Sequence, residues 1–210
     1  MRTDRIAPGA VSPSRIPKSA FVFDLDGTLF DLPVNWKAAR KEVGMMAGVP
    51  MEGVSIFNAI RIITVDDQGL KERLFSVIDS YELPAAENAR PIDGSPGLVT
   101  WLSSRSKVCL VTMQGKRACH RVLGRFGLDG RFAAVLTRDD SLERSQQLEA
   151  ACSAAGVPPH EALFCGDKLS DLTAGKKLGM FTVIVGKKGR REWAPDLLLD
   201  DVGGLRPLLQ

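Results

Sequence analysis

The sequence predicts an α/β fold, a doubly wound parallel sheet with a small α-helical insertion, on three observations. Short apolar runs alternate with helical segments from about residue 98 to the end. Several of those runs stop on a polar residue or on Gly-Asp. Between residues 33 and 88 the pattern changes to purely helical spacing.

The first apolar run is Phe21-Val22-Phe23, and it leads into Asp24-Leu25-Asp26-Gly27-Thr28. This reads as a buried strand meeting a tight turn. Trp36, Ala39, Val43 and Met46 then recur at helical spacing, as do Leu70, Leu74, Val77 and Tyr81, with Val54, Phe57 and Ile60 as a fainter stripe between them. Pro33 marks the entry to this insertion, and the segment from Pro91 to Gly97 marks its exit. Beyond it, helices are expected over 98–102, 116–126, 144–155 and 170–178, and strands over 107–111, 132–136, 162–165 and 181–185. A last short strand is expected at 197–199, and a helical tail after it. Gly127, Gly156 and Gly179 stand where helix ends take a left-handed residue. The expected organisation is a leader over 1–19, a core over 20–32 and 89–210, and a helical cap over 33–88.

Composition narrows the function classes. With 44% hydrophobic and 25% charged residues, the 210-residue chain can bury a full core without disulfides. A net charge of +3 gives no electrostatic case for a nucleic-acid partner. No run reaches the roughly 20 apolar residues of a membrane span, so no membrane partner is expected. Cys109, Cys119, Cys152 and Cys165 form no Cys-x-x-Cys pair, and His120 and His160 are the two histidines, which argues against zinc. Cys109 and Cys165 sit in apolar runs as core thiols, consistent with a reducing compartment. Residues 1–19 carry Arg2, Arg5, Arg15 and Lys18 but no apolar signal run, and read as a flexible leader. The default location is the cytoplasm. The run Lys187-Lys188-Gly189-Arg190-Arg191 reads as a solvated basic loop, with phosphate or partner contact as the sharper alternative.

In open parallel sheets, ligands bind beyond the carboxyl ends of the strands. Asp24, Thr112 and Asp167 all fall at such ends, so strand bookkeeping alone brings two carboxylates and a hydroxyl to one edge. Asp24 and Asp26 lie two apart on an extended segment and can face one pocket. One could attack phosphorus while the other handles protons. Asp167 could complete an oxygen site for a hard cation such as Mg2+. Any one of these residues could serve only a turn; the constellation carries the argument.

The stretches Phe23-Asp24-Leu25-Asp26-Gly27-Thr28-Leu29, Val111-Thr112 and Gly166-Asp167-Lys168-Leu169-Ser170-Asp171 resemble the haloacid dehalogenase superfamily, over nearly the whole chain from Ala20 to Leu209. The resemblance implies a Rossmannoid core with a helical cap and a Mg2+-dependent phosphatase. Asp24 would be the nucleophile and Asp26 the general acid and base. Thr112 would hold the transferring phosphoryl group. The cation would be bound by Asp24, Asp167 and the main-chain carbonyl of Asp26, with Asp171 supporting it. Asp26 favours phosphate chemistry over dehalogenation, since displacing a halide needs no general acid. The family lysine that faces the nucleophile has no lysine counterpart here. Arg144 takes its place in the alignment, either as a phosphate clamp and catalytic cation or as a solvated first-turn arginine, with Lys168, Lys116 and Arg138 as fallback cations. Gln114 could line the substrate pocket or be a plain loop amide. Trp36, Lys37, Arg40 and Arg61 could contact substrate, or be ordinary cap surface or core. The implied partner is a small phosphorylated metabolite and the nearest generic label is phosphoglycolate-phosphatase-like. A phosphomutase on the same site and a catalytically weak binding protein are the alternatives.

Overall fold

A computed structural model describes residues 13–186 and 191–210. Residues 1–12 of the expected leader and Lys187, Lys188, Gly189 and Arg190 of the basic loop lie outside them. The central strand, β1 (Ala20–Asp24), alternates its side chains across the sheet. Phe21 and Phe23 enter one buried cluster, and Ala20 and Val22 enter another on the opposite face. Each fully buried phenylalanine contributes about 1.5–3 kcal/mol relative to leaving it in water. All six strands of the sheet are parallel.

After β1 the chain forms a two-residue strand, β2 (Phe30–Asp31), and then three helices: α1 (Trp36–Ala47), α2 (Ile56–Ile63) and α3 (Gln68–Glu87). Their apolar stripes bury Val43, Ile60, Leu74 and Ile78 in a third cluster, separate from the two sheet faces. The return strand, β3 (Arg90–Pro91), pairs antiparallel with β2 and closes the base of the insertion. Arg125 Nη1 donates to Ala86 O at 2.7 Å and holds the returning chain to the core. Pro84 lies inside α3, where it offers no N–H to the carbonyl four residues back.

The rest alternates as α4 (Ser95–Ser103), β4 (Lys107–Val111), α5 (Lys116–Arg125), β5 (Ala134–Leu136), α6 (Arg144–Ala155), β6 (Ala162–Gly166), α7 (Leu169–Lys177), β7 (Phe181–Val185), β8 (Leu197–Leu199) and α8 (Leu205–Leu209). The strand order is β5-β4-β1-β6-β7-β8. Asp24 pairs with Val111 and Phe23 with Cys165, so the carboxyl ends of β1, β4 and β6 finish level with one another. That register is what gathers the site.

Two expectations shift. The strand expected over 132–136 begins at Ala134, with Ala133 N bonded to Val108 O at 2.7 Å just before it. The chain is also packed before residue 20: Ile16 is buried in the main cluster, and Lys18 Nζ donates to Leu209 O at 3.3 Å. All four cysteines are free and buried. Among the described residues no helix is long and apolar enough to cross a membrane.

The insertion is tied to the sheet by a buried ionic knot. Arg138, 1% exposed in the turn after β5, pairs with Asp79 and Glu82 of α3 and lies over the Phe75 ring at 5.0 Å. Glu82 also accepts from Gly115 N at 2.9 Å, at the start of α5. A Cβ on Gly115 would stand 2.6 Å from Arg138 Nη2 and 2.7 Å from Asp79 Oδ1, so a side chain there would split the knot. Burial pushes the Glu82 carboxyl up to about 7 against the pull of Arg138. Arg138→Met strands two carboxylates without their counter-charge. It is expected to cost about 3–5 kcal/mol in urea unfolding, and Asp79→Asn with Glu82→Gln in the same chain should return part of that loss.

Candidate active site

Three acidic residues, each from a different place in the chain, meet at the level end of the sheet. Asp24 ends β1, Asp167 follows β6, and Asp171 lies in the first turn of α7. One carboxylate oxygen from each comes within 4.8 Å of the other two. Asp24 and Asp171 are buried. Asp171 Oδ2 accepts from Lys168 N at 3.1 Å, a bond that caps α7 and fixes the carboxylate. The approach of Asp167 depends on Gly27, which has φ +87° and where a Cβ would stand 2.5 Å from Asp167 Oδ2. The turn there is closed by Gly27 N donating to Phe30 O at 2.7 Å.

Such a group is held together by opposite charge. Arg144, the first residue of α6, donates through Nη2 to Asp24 Oδ1 at 2.7 Å, and its Nε lies 3.0 Å from Asp171 Oδ1. Its side chain is 10% exposed, so its guanidinium belongs to the site rather than to solvent. Burial works against the Arg144 charge, but Asp171 and Asp24 outweigh it and hold its pKa above the ordinary value. Lys168 Nζ lies 3.9 Å from Asp167 Oδ1. Burial raises the Asp24 carboxyl to about 7; Arg144 and Lys168 pull it down, and Asp171 and Asp167 push it up. Asp24 Oδ2 has no hydrogen-bond partner. A buried, unpartnered carboxylate oxygen beside two further carboxylates is an all-oxygen donor set, which fits a hard cation such as Mg2+.

The other sequence-predicted residues sit around this centre. Asp26 lies past the strand end in a bridge with Phe30, and its Oδ1 accepts from Leu32 N at 3.1 Å. Its carboxylate is not part of the three-acid group. Burial raises its pKa, against Lys168 and the Leu32 N–H. Thr112 is buried one residue beyond β4; its N donates to Leu136 O at 2.8 Å, and its Oγ1 accepts from Gln114 N at 3.1 Å. Gln114 is 2% exposed, and its Oε1 has no hydrogen-bond partner. Of the fallback cations, Arg138 is committed to the knot with α3; at Lys116 it is the main-chain N that donates to Asp139 Oδ2, at 2.6 Å. Arg61 pairs with Glu143 at 3.0 Å, and Arg40 Nη1 donates to Val54 O at 2.5 Å.

This geometry coincides with a family pattern. The model of the haloacid dehalogenase-like hydrolases matches residues 21–185. The chain belongs to that family. Within it, the chain is 26% identical over 209 residues to an N-acetylmuramic acid 6-phosphate phosphatase of Pseudomonas aeruginosa, covering 89% of this chain and 92% of that protein. It is 26% identical over 220 residues to phosphoglycolate phosphatase 1 of the same organism, covering 92% and 80%. Among solved structures, a haloacid dehalogenase-like family hydrolase from Streptococcus pneumoniae superposes with a TM-score of 0.69 at 17% identity, covering 94% of this chain and 100% of the other. A β-phosphoglucomutase from Clostridium difficile superposes with 0.70 at 19% identity, covering 90% and 93%. At these identities the two structures share the fold.

This haloacid dehalogenase-like hydrolase also holds residues that sequence reasoning did not single out. Gln147 accepts from Arg144 Nη1 at 2.9 Å. Glu82 stands four residues after Ile78 on the apolar stripe of α3, so a charge at a core position was its visible signal. The Gly27 contact yields a direct check. Gly27→Ala forces a side chain into a left-handed backbone and pushes the Asp167 carboxylate aside. It is expected to lower stability in urea by about 1–3 kcal/mol, whereas Gly130→Ala, with open space around its Cβ position, should cost only its own backbone strain.

Proposed function

We propose that this chain is a Mg2+-dependent phosphatase that hydrolyses a small phosphate monoester through a covalent aspartyl-phosphate on Asp24. One observation carries the reading: Asp24 is buried at the strand end with one oxygen held by Arg144 and the other without a hydrogen-bond partner. That second oxygen is open to new chemistry. In the first step an Asp24 oxygen forms a bond to phosphorus as the ester P–O bond breaks, and the leaving oxygen takes the Asp26 proton. In the second, water gives a proton to Asp26 and attacks the phosphorus, releasing phosphate and restoring the Asp24 carboxylate. The raised pKa of Asp26 suits a group that starts as the acid and ends as the base. Asp24, Asp167 and the Asp26 main chain would hold Mg2+, with Asp171 in support, and the cation would supply charge neutralisation to the phosphoryl group. Arg144 keeps Asp24 from repelling the incoming dianion, and Thr112 and Gln114 would meet the phosphoryl and substrate groups. Helices α1–α3 act as a cap that excludes water and limits substrate size. The named phosphatase relatives act on small phosphorylated metabolites, which supports the same substrate class here.

The test is a screen of small phosphate esters with and without Mg2+, following both free phosphate and isomerised ester. Native protein is expected to release phosphate, and Asp24→Asn to lose at least about a thousandfold in kcat. Turnover that survives Asp24→Asn undiminished rules out the covalent route, and isomerised ester without phosphate means a mutase.

The Asp24 pKa also sets a pH dependence. Its folded value, about 7, lies above the ordinary 3.8, so between those values the folded chain holds a proton that the unfolded chain has lost. Without metal, this contribution to stability is present at low pH and is lost as pH rises through about 7. A cation needs the ionised form, so its binding displaces that proton. Added Mg2+ is expected to raise Tm more at pH 8 than at pH 5.5 in thermal melts. A larger effect at pH 5.5 contradicts the assignment of Asp24 to the cation.

A further inference from the structure

One helical turn beyond Arg144, at the spacing where two side chains share a face of α6, stands Gln147. It is 1% exposed, and both ends of its carboxamide are engaged. Nε2 lies 3.0 Å from Thr112 O, 2.9 Å from Thr137 O and 2.9 Å from Ser141 O. Oε1 accepts from Arg144 Nη1 at 2.9 Å. The neighbours dictate which way the amide points. Carbonyls only accept, so the nitrogen faces them; a guanidinium only donates, so the oxygen faces it. A flipped amide would set one oxygen against three others.

The three carbonyls come from the end of β4, the turn after β5 and the approach to α6. Gln147 therefore joins the segment carrying Thr112 to the segment that delivers Arg144. An arginine head is a planar fork, and its contacts are fixed only when enough of its N–H groups are engaged. Here Nη2 donates to Asp24 and Nη1 to Gln147, while Nε faces Asp171 Oδ1 at 3.0 Å as an ion pair without a hydrogen bond. The third contact removes the rotation that the two acidic contacts would still allow. A lysine at position 144 is a point charge with no fork to align, and would gain little from the amide.

We propose that Gln147 is a positioning residue that locks the guanidinium of Arg144 against Asp24 and Asp171, and that the two residues form a matched pair in this chain. The proposal rests on the reading of Asp24 as nucleophile and Arg144 as its facing cation.

The kinetic test uses p-nitrophenyl phosphate with saturating Mg2+. Gln147→Met is expected to lower kcat by about tenfold or more with a smaller change in KM, since small misplacements of a catalytic group are costly. In an Arg144→Lys background the same substitution should cost less than about twofold. An equal loss in both backgrounds makes Gln147 a structural support alone and overturns the proposal. A second readout needs no turnover: the Nη1–H NMR signal of Arg144, identified by its disappearance in Arg144→Lys. It should be protected from exchange in the native protein and lose protection in Gln147→Met. Protection unchanged in Gln147→Met overturns the proposal. If Gln147→Met does not fold, Gln147→Leu decides: protection lost in the folded variant supports the pairing, and protection retained ends it. A protein showing the NMR pattern while hydrolysing no phosphate ester sinks the phosphatase reading and supports the positioning of Arg144.

Discussion

Carboxylates crowded out of water repel one another and lose their hydration, and everything at the end of this sheet depends on how that cost is met. Asp24 and Asp171 are buried with Asp167 beside them, and Arg144 stands between the first two. Its guanidinium can bond two carboxylates in different directions at once, which a single ammonium does less well. The upward pKa of Asp24 shows that burial still outweighs this compensation. Three carboxylates face the two cations Arg144 and Lys168, an excess of negative charge that a hard cation would offset.

The sheet makes this arrangement cheap in chain terms. Parallel strands finishing level bring Asp24, Thr112 and the Gly166-Asp167 turn together with no long loop to order. Contacts with the backbone then fix it: the left-handed turn at Gly27, the cap at Asp171, and the carbonyls held by Gln147. Rigid elements hold catalytic groups more closely than loops do.

Much of this was legible in the sequence. Strand ends can be counted from apolar runs, so Asp24, Thr112 and Asp167 fell on one edge before any coordinates. Arg144, the first residue of α6, came from the resemblance, standing in the place of the family lysine. The strands β2 and β3, two residues each, carry no periodicity to read. Phe132 extended the apparent run of β5 because an apolar residue packs as readily beside a strand as within it. The pairing of Arg138 with Glu82 spans 56 residues, and nothing local in either segment marks the other. Gln147 was invisible for the same reason: an amide in an apolar helix face has meaning only through the carbonyls that surround it.

The segment between β5 and α6 has two masters. Arg138 is held by carboxylates of α3, and Leu142 is buried in the cluster of the helical insertion, while Arg144, two residues later, reaches the sheet's acidic end. A chimera carrying some other insertion on this sheet would therefore leave an orphaned guanidinium and a bare leucine at the graft. Insertion and loop pack as one piece, and a transplant would have to carry residues 137–143 along with it.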